Sequence, residues 1–180
     1  DRSIRGASNG SIRGARQVLY PCRGCVRRMK RGLVSLRETD AHRDLLAEAA
    51  NCAEGSEGGL VALWHLDDEE YDESVRTLEA VGKVENVEYD RSTIIEGAAD
   101  DARSFIESAA GDADVDVRIV VGVGSEDGRA EQILDAADEH DCDHVFLVGD
   151  SRSPTGKAVF GDYAQRVILG FDGYTTTTTV

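Results

Sequence analysis

Lysine is almost missing from most of this chain. Between residues 32 and 180 it occurs only as Lys83 and Lys157. Long apolar runs are missing too: stretches such as Leu60–Trp64 and Ile119–Val121 fall far short of the roughly twenty residues that cross a bilayer. No apolar segment with a small-residue cleavage site follows the amino-terminal arginines, so no secretory signal is expected and the protein is placed in the cytoplasm. The sequence has no G-x-G-x-x-G fingerprint, no H-E-x-x-H, no EF-hand loop and no Ser-His-Asp order. Dinucleotide oxidoreduction, zinc proteolysis and triad hydrolysis therefore have no support, and an enzyme is not the first expectation.

Charge is present in quantity and is divided sharply. Residues 1–31 carry nine Arg/Lys and one acid, whereas residues 32–180 carry eleven Arg/Lys and thirty-four Asp/Glu, for an overall charge of −15. The expected organisation is a basic arm over 1–31, disordered or a non-native extension, followed by one acidic domain over 32–180. So negative a body repels nucleic acid and anionic membrane, and neither is expected as its partner. An acid-rich, lysine-poor surface also fits a salty cytoplasm, where counter-ions screen self-repulsion. Cys22 and Cys25 form a C-x-x-C within the arm, readable as incidental cysteines, half a metal site or a redox pair. Cys52 and Cys142 read as buried free thiols.

Apolar periodicity supplies the fold class. Strands are expected at 33–36, 60–66, 115–121, 143–148 and 174–180. Helices are expected from Thr39 or Asp40 with a stripe of Ala41, Leu45, Leu46, Ala49 and Ala50, over 74–81, over 93–110, from Ala130 to Ala137, and from Val159 to Ile168. The 54–59 and 67–72 stretches read as loops, and Val84–Tyr89 as a strand or an irregular crossover. This alternation predicts an open, mostly parallel five-stranded sheet with helices on both faces. Such sheets place ligands at the carboxyl ends of their strands, here Leu36, Leu66, Gly122 and Gly149.

The richest chemistry lies in Gly149–Asp162, which leaves a strand and enters a helix. Gly149 and Gly156 permit tight turns, Ser151, Ser153 and Thr155 offer hydroxyls, and Arg152 and Lys157 offer positive charge. Either a phosphate loop or a structural turn satisfies this pattern. It is not a Walker A loop, because Ser151 stands at the first glycine position and Ala158 replaces the magnesium hydroxyl. Arg37, just past the first strand, either contacts phosphate or neutralises nearby acids. His42 is expected to face solvent, and His65 to sit at the cleft. His140 and His144 flank the fourth strand and form His-x-Cys-x-His with Cys142, a spacing whose alternation would put all three on one face, and Asp67–Glu70 form an acidic run; both read as structural or solvated rather than as metal sites.

Three stretches give the chain a resemblance to the universal stress protein family in its haloarchaeal form. They are Leu60–Asp67, Gly124–Glu139, and Asp143–Gly149 continuing to Ile168. The resemblance implies a Rossmann-like, adenine nucleotide alpha-hydrolase-like fold over about 32–180, a stress-response role, ATP or AMP as ligand, and self-association through Tyr174–Val180. It implies a loop of glycine, two residues, glycine, nine residues, glycine and a hydroxyl residue. Gly149 and Gly161 match the first and third glycines, but Arg152 replaces the second, one spacer residue is missing, and Asp162 replaces the hydroxyl. Arg37 also stands where nucleotide-binding members tend to carry aspartate. The implied site comprises Arg37, Gly149, Arg152, Ser153, Gly156, Lys157, Gly161 and Asp162. The alternative is a regulatory or interaction dimer that binds no nucleotide on the same scaffold. Hydrolysis, if any, is expected to be slow.

Overall fold

Each strand sends alternate side chains to opposite faces of the sheet, and in the three central strands both sets are largely apolar. The computed structural model describes residues 28–85, 92–111, 113–149 and 162–179. The strands are β1 (Arg31–Leu36), β2 (Gly59–Leu66), β3 (Val117–Val123), β4 (His144–Gly149) and β5 (Tyr174–Thr179). The helices are α1 (Asp40–Ser56), α2 (Asp68–Glu85), α3 (Ser92–Ala110), α4 (Arg129–Glu139) and α5 (Asp162–Gly170), with a short 3-10 turn at Glu126–Gly128 before α4. The sheet runs β3-β2-β1-β4-β5. Every pairing is parallel. The chain builds outward from β1 through β2 to β3, then returns to the other side of β1 with β4 and β5. The order thus reverses between β1 and β4.

Two cores sandwich the sheet. Val34, Leu36, Leu60, Trp64, Phe146 and Val148 pack with α1 and α3, including Leu46 and Phe105. Leu33, Val61, Leu63, Val145 and Leu147 pack with α4 and α5, including Ile133, Tyr163 and Val167. Full burial of such side chains stabilises by about 1.5–3 kcal/mol each. Trp64 meets Phe105 edge-on, with ring centroids 5.4 Å apart. Met29 joins the first core, and the Lys30 backbone N–H donates to Asp143 Oδ1 at 3.1 Å.

Local chemistry moves several boundaries away from those read in the sequence. Thr39 is the N-cap of α1, its Oγ1 accepting from the His42 N–H at 3.4 Å. That helix continues through Glu54, Gly55 and Ser56 instead of ending before them, and closes on Glu57 in the left-handed region at φ 56°. The acidic run at 67–72 is not a loop but the start of α2: Asp67 Oδ1 accepts the Glu69 N–H at 2.9 Å, and the acids that follow face the positive end of the helix. The same helix runs to Glu85, so Val84 is helical; residues 86–91 lie outside the described residues. In α3, Ile94 is buried and Ile95 only half-buried. β3 begins two residues later than expected, because Val115 and Asp116 serve as the connection. β5 forms an edge of the sheet, a place that suits threonine, a strand former with a polar tip.

Candidate functional site

The carboxyl ends of β1 and β2 open into a cleft of about 1120 Å³. Arg37, Thr39, Trp64, His65 and Asp67 line one side, and acids of α2, among them Glu69 and Glu73, line the other. Arg37 reaches Glu126 of the 3-10 turn, Nη2 to Oε2 at 2.7 Å, and stands 4.0 Å from Asp67 Oδ2.

Behind Arg37 lies a second guanidinium. Arg129 opens α4 and is only 4% exposed. Its Nη1 is 3.3 Å from Glu126 Oε1, its Nη2 donates to Ser35 Oγ at 3.2 Å, and its Cζ lies 4.3 Å over the Tyr163 ring. The Tyr163 hydroxyl donates to the Val148 carbonyl on β4. Arg129 therefore touches β1 directly and β4 through tyrosine, at the point where strand order reverses. A buried guanidinium needs such partners, because its desolvation is costly. Its Nε has no hydrogen-bond partner among the described residues.

Two histidines adjoin this charge. His65, 4% exposed, places Nδ1 3.1 Å from Gln132 Oε1. Gln132 donates its own Nε2–H to the Val123 carbonyl at 2.9 Å, which leaves its carbonyl oxygen to accept from His65. The proton then sits on Nδ1, and Nε2 has no partner among the described residues. Gln132 lies close against Gly124, where a Cβ would displace its side-chain amide. His42 is buried rather than solvent-facing, because α1 turns its first turn inward and Nδ1 pairs with Thr39 Oγ1 at 2.7 Å. Burial, then the charges of Arg129 and Arg37, lower the His42 pKa to about 4. The same causes in the same order lower that of His65. Both rings are neutral at neutral pH.

Among the residues singled out from sequence, Arg37 lies in the cleft and Gly149 is the buried last residue of β4, at the same end of the sheet. Asp162 is the first residue of α5. Arg152, Ser153, Gly156, Lys157 and Gly161 fall outside the described residues, as do Cys22 and Cys25. Sequence reasoning missed Ser35, Glu126, Arg129, Gln132 and Tyr163. One signal was present: Arg129 stands four residues before Ile133 on the apolar stripe of α4, a position where a cation must find a partner. At the opposite end of the sheet, His144 Nε2 pairs with Thr176 Oγ1 at 2.8 Å, and its ring stacks on Phe146. Cys52 and Cys142 are free and half-buried. Burial pushes the Cys142 thiol up to about 11.

Known proteins share this architecture. A universal stress protein from Archaeoglobus fulgidus is 21% identical, over 82% of this chain and 97% of that one, with a TM-score of 0.52. Universal stress protein UspA from Lactobacillus plantarum is 18% identical, over 84% and 99%, with a TM-score of 0.56. A universal stress protein in complex with cAMP is 13% identical, over 85% and 98%, with a TM-score of 0.55. At these identities the likeness is one of fold. No curated protein matches the chain. The model of the universal stress protein family matches residues 29–172. Four-fifths of the sequence and the whole described sheet up to β5 thus fall within one family pattern, and the chain belongs to the universal stress protein family.

Proposed function

We propose that this protein binds an adenine nucleotide, ATP or AMP, at the carboxyl ends of β1, β2 and β4, in the service of a stress response. The observation that carries the reading is the placement of Arg37 and Arg129 at the strand-order reversal, beside a cleft large enough for a nucleotide. The family relative in complex with cAMP supports the ligand class. Arg37 and Gly149 would then act with Arg152, Ser153, Gly156, Lys157, Gly161 and Asp162 of the following loop. Titration of ATP and AMP in molar potassium chloride, repeated with Arg152→Ala, tests it. Saturable binding that weakens in the variant is expected. Absence of saturable binding by the unaltered protein would refute the nucleotide reading, and unchanged binding by the variant would remove Arg152 from the site.

A second reading is a regulatory or interaction dimer without nucleotide. It draws on the acids of α2 that line the cleft, and on Arg37 already being paired. In either case self-association runs through the free edge of β5, within Tyr174–Val180. The charge reversal near residue 32 supports a basic arm before an acidic domain, with residues 28–31 drawn onto that domain by Met29. A haloarchaeal origin and a cytoplasmic setting agree with the acid excess; no helix among the described residues is long and apolar enough to cross a membrane.

A further inference from the structure

Among the described residues, the Glu126 side chain is held by two cations. Its oxygens lie 2.7 Å from Arg37 Nη2 and 3.3 Å from Arg129 Nη1. Its side chain is half exposed and sits in a three-residue turn that the Ser125 side chain does not cap. The cations are better fixed than the anion between them. Arg129 is anchored by Ser35 Oγ and the Tyr163 ring, and Arg37 by its place directly after β1. Arg129 Nε and His65 Nε2, in side chains each 4% exposed, have no hydrogen-bond partner among the described residues. His65 lines the same cleft as Arg37. A preformed pair of guanidinium forks is complementary to a phosphoryl group, whose oxygens satisfy both forks at once. One carboxylate leaves donors of each fork unused.

We propose that Arg37 and Arg129 form an anion site that Glu126 occupies as an internal stand-in, and that the phosphoryl group of an incoming ligand displaces its carboxylate. That the ligand is an adenine nucleotide rests on the reading above; the anion site itself does not. Displacement makes Glu126 a competitor tethered at high local concentration, so it sets the ligand level at which the site fills. Removing its charge raises affinity for the phosphorylated ligand without changing affinity for the bare nucleoside.

The experiment is calorimetric titration of the full chain with AMP, adenosine and inorganic pyrophosphate at one fixed potassium chloride concentration, for the unaltered protein and for Glu126→Gln. AMP is expected to bind Glu126→Gln about tenfold more tightly or better, with adenosine unchanged, and Arg37→Gln added to the variant is expected to abolish the gain. AMP binding that is equal in both proteins overturns the stand-in and leaves the nucleotide reading intact. Equal gains for AMP and adenosine also overturn it, by showing a loosened cleft instead of a freed anion site. Pyrophosphate binding that tightens in the variant, with no AMP or adenosine binding by either protein, upholds the anion site and refutes the nucleotide. If Glu126→Gln loses its cooperative thermal transition, Glu126→Asp takes its place. That chain is one methylene too short to reach both arginines, so about a threefold gain for AMP is expected, and no gain overturns the proposal.

Discussion

His42 shows how one buried side chain couples folding stability to pH. Unfolded, its imidazole titrates near the ordinary 6.5; folded, near 4. Between these values the unfolded chain holds a proton that the native chain does not. The stability due to a neutral His42 is complete above about pH 6.5 and is lost as pH falls through 4, an effect of at most about 3 kcal/mol. Urea midpoints measured from about pH 7 to about pH 4 should therefore fall less steeply in His42→Gln than in the unaltered protein, carboxylate titration being common to both. Single-residue chemistry of this kind was the least legible part of the sequence. His42 sits beside the apolar stripe of α1, and nothing in spacing alone distinguishes an inward polar residue from an outward one. Arg129 was hidden likewise: its partners Ser35 and Tyr163 lie 94 and 34 positions away, and only the folded sheet brings them together. Arg37 was legible because its place after a strand is a local fact.

Elements were read more readily than their ends. Periodicity identifies α1 and α3 and the buried run of β2, since burial repeats along them. Ends depend on single hydrogen bonds and dihedral angles. The acids at 67–72 look like a solvated loop until Asp67 is seen capping α2, and Glu54–Ser56 look like one because glycine and serine flank a charge. The close of α1 offers a paired test. Glu57 adopts φ 56° although it has a side chain, so Glu57→Gly should raise stability by about 0.5–1 kcal/mol despite losing an exposed ion pair with Arg28. The next residue behaves oppositely. A Cβ on Gly58 would lie 2.6 Å from the Met29 carbonyl oxygen, which is backbone and cannot swing aside. Gly58→Ala should therefore cost about 1–3 kcal/mol by displacing the strand that follows Met29. Thermal unfolding of both variants measures the two signs.

For the whole molecule, the alternation of strands and helices was sufficient to predict a parallel sheet, because right-handed crossovers leave few other arrangements. Strand order was not legible, since periodicity does not tell which edge a returning strand joins. A net charge of −15 acts on the molecule as a whole. Raising potassium chloride from about 0.1 M to about 2 M should raise the thermal midpoint, by shortening the range over which the acids repel one another. β5 is an edge strand, and its Thr175 and Thr177, both half-buried, lie beside Val145 and Leu147 of β4. Under the self-association proposed above, lysine at these two positions should yield a monomer at the same salt, as read by sedimentation, because charge on an edge strand resists pairing.

Trp64 gives these expectations a convenient readout. The chain contains one tryptophan, and it stands in the wall of the cleft against Phe105. Its intrinsic fluorescence therefore reports from the cleft without an attached label. Quenching or a spectral shift during titration would register occupancy there, while a ligand lodged at the β5 edge would leave the emission unchanged.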